Sequence, residues 1–235
     1  MTRNLFLHAG GDITSALPDI RQHLGDAQAA VFLPFALHDH DAYTAMVNER
    51  FSAIDLRVRG LHDVDDPREA IARSDAIIGG GGNSFRLVRA LHELRLIDAI
   101  RDRVAAGVPY FGASAGANIA CPTIRTTNDM PIVQPPSFDA LALVPFQINP
   151  HYIDPPPPEE RVGESRAQRL QEFLEENDVP VVALRENSWL VVHDDTMLLH
   201  GSAGAVLFRR ASEPQQLAPG ADLSMLLSSA PQFDV

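Results

Sequence analysis

Ser114 lies in Tyr110-Phe111-Gly112-Ala113-Ser114-Ala115-Gly116-Ala117-Asn118, a Gly-x-Ser-x-Gly stretch between an apolar run and a run of small residues. The pattern predicts a nucleophile elbow, a sharp strand-to-helix turn that strains the serine backbone and leaves no room for side chains on its neighbours. The start of the following helix offers free backbone N–H groups and the positive end of a dipole, both suited to an oxyanion. A serine hydroxyl is a weak nucleophile at neutral pH, so it needs an imidazole to take its proton and a carboxylate to orient that imidazole.

Among nine histidines, His151 in Gln147-Ile148-Asn149-Pro150-His151-Tyr152 stands where an apolar run meets a proline turn, the expected end of a strand. Of the later carboxylates, Glu186 follows Val181-Val182-Ala183-Leu184 and precedes another apolar run beginning near Trp189. That placement suits an acid aimed at a site from a strand end. The alternative is a surface loop acid, and Asp154, Asp194 and Asp195 compete for the same role. Gly79-Gly80-Gly81-Gly82-Asn83-Ser84 comes directly after Ala76-Ile77-Ile78. It lacks the lysine of a P-loop and the spacing of a dinucleotide fingerprint. Acyl transfer needs two N–H groups converging on one oxygen, and Gly82 with Ala115 is the expected pair.

Positioning these groups requires strands that end together. Short apolar runs alternate with amphipathic segments through the first half: Leu5 to Ala9, a helix near Ile13 to Leu24, Ala29 to Phe35, a helix near Asp41 to Phe51, and Leu56 to Leu61. A short helix at Pro67 to Arg73, a strand at Ala76 to Ile78, helices over Ser84 to Leu94 and Leu96 to Ala106, and a strand at Val108 to Phe111 complete the run. This alternation predicts an α/β fold with a mostly parallel central sheet covered by helices on both faces, its site outside the carboxyl ends of the strands. Beyond the elbow, prolines mark a loop-rich stretch, and Pro155 to Pro158 reads as a stiff polyproline piece. Helical spacing resumes from Glu159 to Glu176. Val179 to Leu184, Trp189 to His193, Met197 to Leu199 and Ala205 to Phe208 then read as short antiparallel strands that complete the sheet or form a small extra one. No long Gly/Ser linker divides the 235 residues, so one domain spanning 1–235 is expected.

Apolar residues make up 45% of the chain and charged residues 21%, the balance of a globular protein with a sizeable core. The formal net charge of -12 argues against nucleic-acid and anionic-membrane partners, which need clustered Lys and Arg. The opening residues lack the pattern of a secretory signal, and the single Cys121 forms no internal disulfide, so a reducing cytoplasm is the expected compartment. Cys121 precedes Pro122 without an elbow of its own and reads as a packed small residue. His38-Asp39-His40-Asp41 could offer metal ligands, but no further cluster completes a shell, and Asp41 can cap a helix there. No metal and no cofactor is expected.

Together these segments resemble peptidase E, the alpha-aspartyl dipeptidase family of serine peptidases. The resemblance rests on Gly79 to Phe85, Ser114 to Asn118, Cys121 to Pro131, Phe138-Asp139-Ala140-Leu141 and Gln147 to His151, continuous from about residue 75 to 190. It implies a Ser-His-Glu triad in chain order, falling on Ser114, His151 and Glu186, and a fold like that of class I glutamine amidotransferases, with serine where those enzymes carry cysteine. It implies cleavage of dipeptides with an N-terminal aspartate. Gly163-Glu164-Ser165-Arg166-Ala167-Gln168-Arg169 looks like the family's stretch in which an arginine binds the substrate's aspartyl carboxylate, which falls on Arg166. A guanidinium fork suits that carboxylate, and in a chain of charge -12 a local cation must offset long-range repulsion of an acidic peptide. Asp129 would bond the substrate's ammonium or shape the site, and Asn83 joins the substrate-binding set.

Two departures stand out: Ala113 replaces the bulkier aromatic usual before the family's serine, and Pro155 to Pro158 is unlike the usual loop after the histidine. Both bear on the mouth of the site. The rival enzyme reading is a cyanophycinase-like or isoaspartyl-type peptidase; from another class, a non-catalytic protein that binds aspartyl peptides. The expected partner is a small peptide with an N-terminal aspartate, and the sequence leaves open a homodimer and the residue preferred after aspartate.

Overall fold

The computed structural model describes residues 3–160 and 163–235. Seven strands form the main sheet in the order β3-β2-β4-β5-β1-β8-β9. They are β1 (Asn4–His8), β2 (Ala29–Leu33), β3 (Arg57–Gly60), β4 (Ala76–Gly79), β5 (Tyr110–Ala113), β8 (Ser188–His193) and β9 (Thr196–Gly201). The first five run parallel, and β8 and β9 extend the sheet antiparallel from β1. The second sheet, in the order β11-β10-β7-β6, joins β6 (Gln147–Asn149), β7 (Val181–Leu184), β10 (Ala205–Phe208) and β11 (Gln215–Leu217). Within it β6 and β7 are parallel and the other pairs antiparallel.

Alternation along the pleat divides the core. Phe6, Phe32, Ile78 and Phe111 face α1 (Leu17–Leu24) and α2 (His40–Ser52) on one side of the main sheet. Leu5, Leu7, Leu33, Ile77 and Tyr110 face α3 (Pro67–Ala72), α4 (Ser84–Glu93) and α5 (Ile97–Ala105) on the other. Phe6, Phe32 and Phe111 are almost wholly buried, and each contributes about 1.5–3 kcal/mol by leaving water. The four-residue α6 (Ala115–Asn118) sits behind the elbow. One face of the second sheet packs on this body through Ile148, Val182, Leu184 and Leu207. Its other face carries α7 (Arg166–Glu176) through Leu170 and Leu174.

The late apolar runs thus divide: β8 and β9 complete the main sheet, and β7 and β10 build the second. The strand before the elbow starts at Tyr110 rather than Val108, since Pro109 has no N–H for the ladder. The helix expected from Glu159 instead begins at Arg166. Ser165 fixes that start by accepting from the Gln168 N–H, while the Gln168 side chain accepts from the Ser165 N–H. Of the expected helix, Arg161 and Val162 lie outside the described residues. A 3-10 turn over Pro158–Glu160 ends the stretch read as polyproline. Asp39, not Asp41, caps α2, accepting from the Ala42 N–H at 2.9 Å. Asp41 instead bonds His62. The tail is held by Leu226 and Leu227, which are buried, and by the Leu223 N–H donating to the Met197 carbonyl. Among the described residues no helix is long and apolar enough to cross a membrane.

Candidate active site

Three parallel strands deliver the site at their carboxyl ends: β1 leads into Gly10 and Gly11, β4 into Gly79 to Gly82, and β5 into Ser114. Ser114 adopts φ 53° and ψ −110°, a region that costs on the order of 1–3 kcal/mol and persists only where the surroundings enforce it. Here they do. The Ser114 N–H donates to the His8 carbonyl at 3.0 Å, and the Gly116 N–H donates to the Gly80 carbonyl at 3.0 Å. A Cβ on Gly116 would collide with the Gly79 carbonyl, so the elbow can press against the end of β4 only with glycine there.

His151, at the end of β6, places Nε2 2.9 Å from Ser114 Oγ and Nδ1 2.8 Å from Glu186 Oε1. Glu186 reaches this point from the turn between β7 and β8. The competing carboxylates are engaged elsewhere. Asp154 pairs with Arg185 through both oxygens at 2.7 Å, Asp194 lies in the β8–β9 turn, and Asp195 lies 3.6 Å from Arg3.

His8 is a neighbour that spacing alone did not single out. It is fully buried at the end of β1, stacked on Trp189, and its Nδ1 accepts from the Gly10 N–H at 3.0 Å. Gly10, at φ 110°, lies against the His151 ring so closely that a Cβ would overlap it. His8 therefore holds the backbone on which the histidine rests. Burial, and then the His151 charge, push the His8 pKa down to about 4, so it stays neutral and serves as an acceptor.

Tyr43 on α2 is a second such neighbour. Its hydroxyl donates to the Gly81 carbonyl at 2.8 Å. In a trans peptide the N–H points opposite to the C=O, so this bond turns the Gly82 N–H away from Tyr43. The Gly82 N–H donates no backbone hydrogen bond among the described residues. The N–H of Ala115 opens α6 and has no intrahelical acceptor. Both expected oxyanion donors thus carry uncommitted hydrogens, and Gly82 lines the same cavity as Ser114.

Arg166 is the first residue of α7, and its half-buried guanidinium has Nη1 enclosed without a hydrogen-bond partner. Burial first and Arg169 second lower its pKa, while the negative charge of Glu186 opposes them. Asn83 and Asp129 are tied into the scaffold. Asn83 caps α4 by accepting from the Arg86 N–H at 3.1 Å and donates to the Met130 carbonyl at 2.9 Å. Asp129 Oδ2 accepts from the Ser84 N–H at 2.7 Å and the Thr127 hydroxyl at 3.0 Å. Cys121 is buried, and burial raises its thiol pKa far above the usual range. Among the described residues no group of three or more His, Cys, Asp or Glu side chains could hold a metal ion. His40 packs instead against Phe35 and His62.

Against known proteins, the model of peptidase family S51 matches residues 5–200. Peptidase E of Streptomyces coelicolor is 51% identical over 227 residues, covering 97% of this chain and 93% of that protein. A probable alpha-aspartyl dipeptidase of Drosophila melanogaster is 44% identical over 224 residues, covering 94% and 93%. Among solved structures, a putative peptidase E protein from Listeria monocytogenes EGD-e superposes with a TM-score of 0.68 at 22% identity, covering 86% of this chain and 100% of that one. A peptidase from an acI-B1 actinobacterium gives 0.71 at 17% identity, covering 95% and 97%. The two structures speak for the shared α/β fold, and the sequence relatives and the family model for descent: the chain belongs to peptidase family S51.

Proposed function

We propose that this peptidase is a serine exopeptidase that hydrolyses Asp-Xaa dipeptides through Ser114, His151 and Glu186. The observation that carries the reading is the hydrogen-bonded line from Ser114 Oγ through His151 to Glu186, at 2.9 and 2.8 Å, within a chain of this family. The names borne by its relatives, peptidase E and alpha-aspartyl dipeptidase, support aspartate as the residue released.

Each group has a defined task. His151 Nε2 takes the Ser114 proton as Oγ attacks the scissile carbonyl, and Glu186 stabilises the imidazolium through Nδ1–H. The N–H groups of Gly82 and Ala115 receive the oxyanion. His151 then protonates the leaving amine. Water, activated by the same imidazole, releases aspartate from the ester on Ser114. The unpartnered Nη1 of Arg166, with the charge of Glu186 nearby, supports this arginine as the receiver of the aspartyl side chain. Asp129 Oδ2 is occupied, so an ammonium would be met by Oδ1, with Asn83 holding the neighbouring turn. Burial of the lone Cys121 as a thiol supports a cytoplasmic site of action.

The test is to follow free amino acids from Asp-Leu, Leu-Leu and isoaspartyl-Leu with the protein and its Ser114→Ala variant. Release from Asp-Leu alone, lost in the variant, is expected. Cleavage of isoaspartyl-Leu instead would replace this reading with an isoaspartyl-type peptidase, and release from none would leave a binding protein.

A further inference from the structure

Next to Ser114 a cavity of about 280 Å³ opens between α2 and the main sheet. Its back wall is apolar, made by Phe32, Ile78 and Phe111 from the sheet and Val47 from the helix. Ser114 and His151 form one side of it. Ala113, the residue before the nucleophile, contributes only a methyl group, so the space is continuous with the reacting hydroxyl.

Tyr43, Met46, Val47 and Arg50 stand at i, i+3, i+4 and i+7 on α2, which puts Arg50 on the stripe that walls the cavity. Arg50 is the only Lys or Arg among the lining residues, and it is exposed at the rim. Among the described residues its guanidinium enters no ion pair and no hydrogen bond. The carboxylate that feels its charge, Asp12, has Oδ1 taken by the Thr14 N–H at 3.0 Å and the Thr14 hydroxyl at 2.6 Å.

An Asp-Xaa dipeptide carries two carboxylates, and a chain of net charge -12 repels both at a distance. Arg166, assigned above to the aspartyl side chain, does not line this cavity. A second cation is therefore needed for the terminal carboxylate, on the side where the leaving residue lies. That side is set by His151, whose Nε2 must reach the leaving nitrogen.

We propose that this cavity is the leaving-group subsite: it takes an apolar or aromatic Xaa side chain, and Arg50 at its rim pairs with the terminal carboxylate of the dipeptide. The inference rests on the Asp-Xaa reading and names the residue that reading leaves open. It also gives a physical reason for cleaving dipeptides over longer peptides. A third residue would put a neutral amide where Arg50 expects a carboxylate.

The experiment measures kcat and KM on Asp-Gly, Asp-Leu, Asp-Phe and Asp-Leu-amide for the native protein and for Arg50→Gln, Ala113→Leu and Met46→Trp. The native enzyme should favour Asp-Leu or Asp-Phe over Asp-Gly by roughly tenfold or more in kcat/KM. Arg50→Gln should raise KM for Asp-Leu about tenfold with little change in kcat, and the loss should shrink to about twofold on the amide. Ala113→Leu should erase the preference for large Xaa while Asp-Gly is still cleaved. Met46, 45% exposed at the rim, provides a second way to narrow the cavity without disturbing the sheet, and Met46→Trp should act in the same direction. An Arg50→Gln enzyme with native kcat/KM on Asp-Leu, or a native enzyme with no size preference, overturns the proposal. A native enzyme that releases aspartate from no Asp-Xaa peptide overturns the Asp-Xaa reading instead.

Discussion

Ser114 and Glu186 stand at the two ends of one hydrogen-bonded line, yet their surroundings differ in kind. Around Ser114 everything is backbone and core: the His8 carbonyl holds its N–H, Gly116 presses on β4, and Tyr43 turns the Gly82 peptide. Glu186 comes from a turn, and its side chain is 60% exposed, against 32% for His151. Arg166 lies on the same outer side, on a helix attached through the second sheet. Ser114 is thus set by the parallel sheet, where a shift of one side chain disturbs several others, while Glu186, from a turn, and Arg166, at the first position of α7, sit where change costs the core little. If Arg166 receives the substrate as proposed, specificity can therefore vary without altering the elbow.

The largest expected effect removes the nucleophile itself. Ser114→Ala should lower kcat on Asp-Leu by about 10⁴-fold or more, on the order of 5 kcal/mol of transition-state stabilisation, with the melting temperature nearly unchanged. The strained backbone at Ser114 remains strained with alanine, so stability neither gains nor loses much. Residual activity within tenfold of native would remove Ser114 from the mechanism and with it the contrast between the two halves.

Acid should distinguish the halves next. His8 and His23 are both buried on the α1–α2 side of the sheet, with pKa values pushed down to about 4 by burial first, and then by His151 and His193 respectively. In the unfolded chain each binds a proton near 6.5. Stability from these two groups is therefore full above pH 6.5 and falls as pH drops toward 4, by about 1.4 kcal/mol per pH unit for each. At pH 5 the combined loss is on the order of 4 kcal/mol. Urea unfolding from pH 7.5 to 4.5 checks this, and hydrogen exchange should show protection lost first around β1 and α1. A midpoint that stays flat across that range would mean neither histidine is held neutral by burial.

Glu186→Gln tests the exposed end. Glutamine keeps an oxygen for the His151 Nδ1–H but removes the charge that stabilises the imidazolium. Water screens part of that charge at 60% exposure, so the loss in kcat should be about 10²-fold, near 3 kcal/mol, rather than the greater loss a buried carboxylate brings. An effect as large as that of Ser114→Ala would mean that substrate buries Glu186, and the two halves would then differ only in the free enzyme.

These contrasts also govern what the sequence disclosed. The elbow was legible because its requirement is local: two glycines and a serine within five positions, after a strand. The alternation of apolar runs revealed the parallel sheet for the same reason. Glu186 could not be separated from Asp154 by spacing, because what separates them is that Arg185, at the end of the neighbouring strand β7, captures Asp154. Helix capping at α2 went to Asp39 rather than Asp41 through a backbone geometry that two aspartates on either side of His40 do not disclose. His8 carried one usable signal, the Gly10-Gly11 pair after a strand, which marks a close approach of backbone to another group. Tyr43 carried none, since its partner is a carbonyl 38 positions away in the chain.

Tyr43→Phe is the smallest change and the one that most directly probes the sheet-built half. The phenyl ring keeps the contact with Phe32, whose ring centroid lies 4.9 Å away, and loses only the hydroxyl that donates to the Gly81 carbonyl. Freed from that bond, the Gly81–Gly82 peptide can rotate, and the Gly82 N–H loses the fixed orientation that the proposed mechanism requires of an oxyanion donor. The cost appears in the transition state and not in the bound substrate, so kcat should fall about tenfold while KM stays within twofold. Because the hydroxyl acts through a peptide plane, a purely structural role predicts a different pattern: a lower melting temperature with kcat intact. A drop in kcat with unchanged melting temperature would place the second oxyanion donor at Gly82, whereas a change in KM alone would mean that Tyr43 acts only as part of the wall of the cavity it lines.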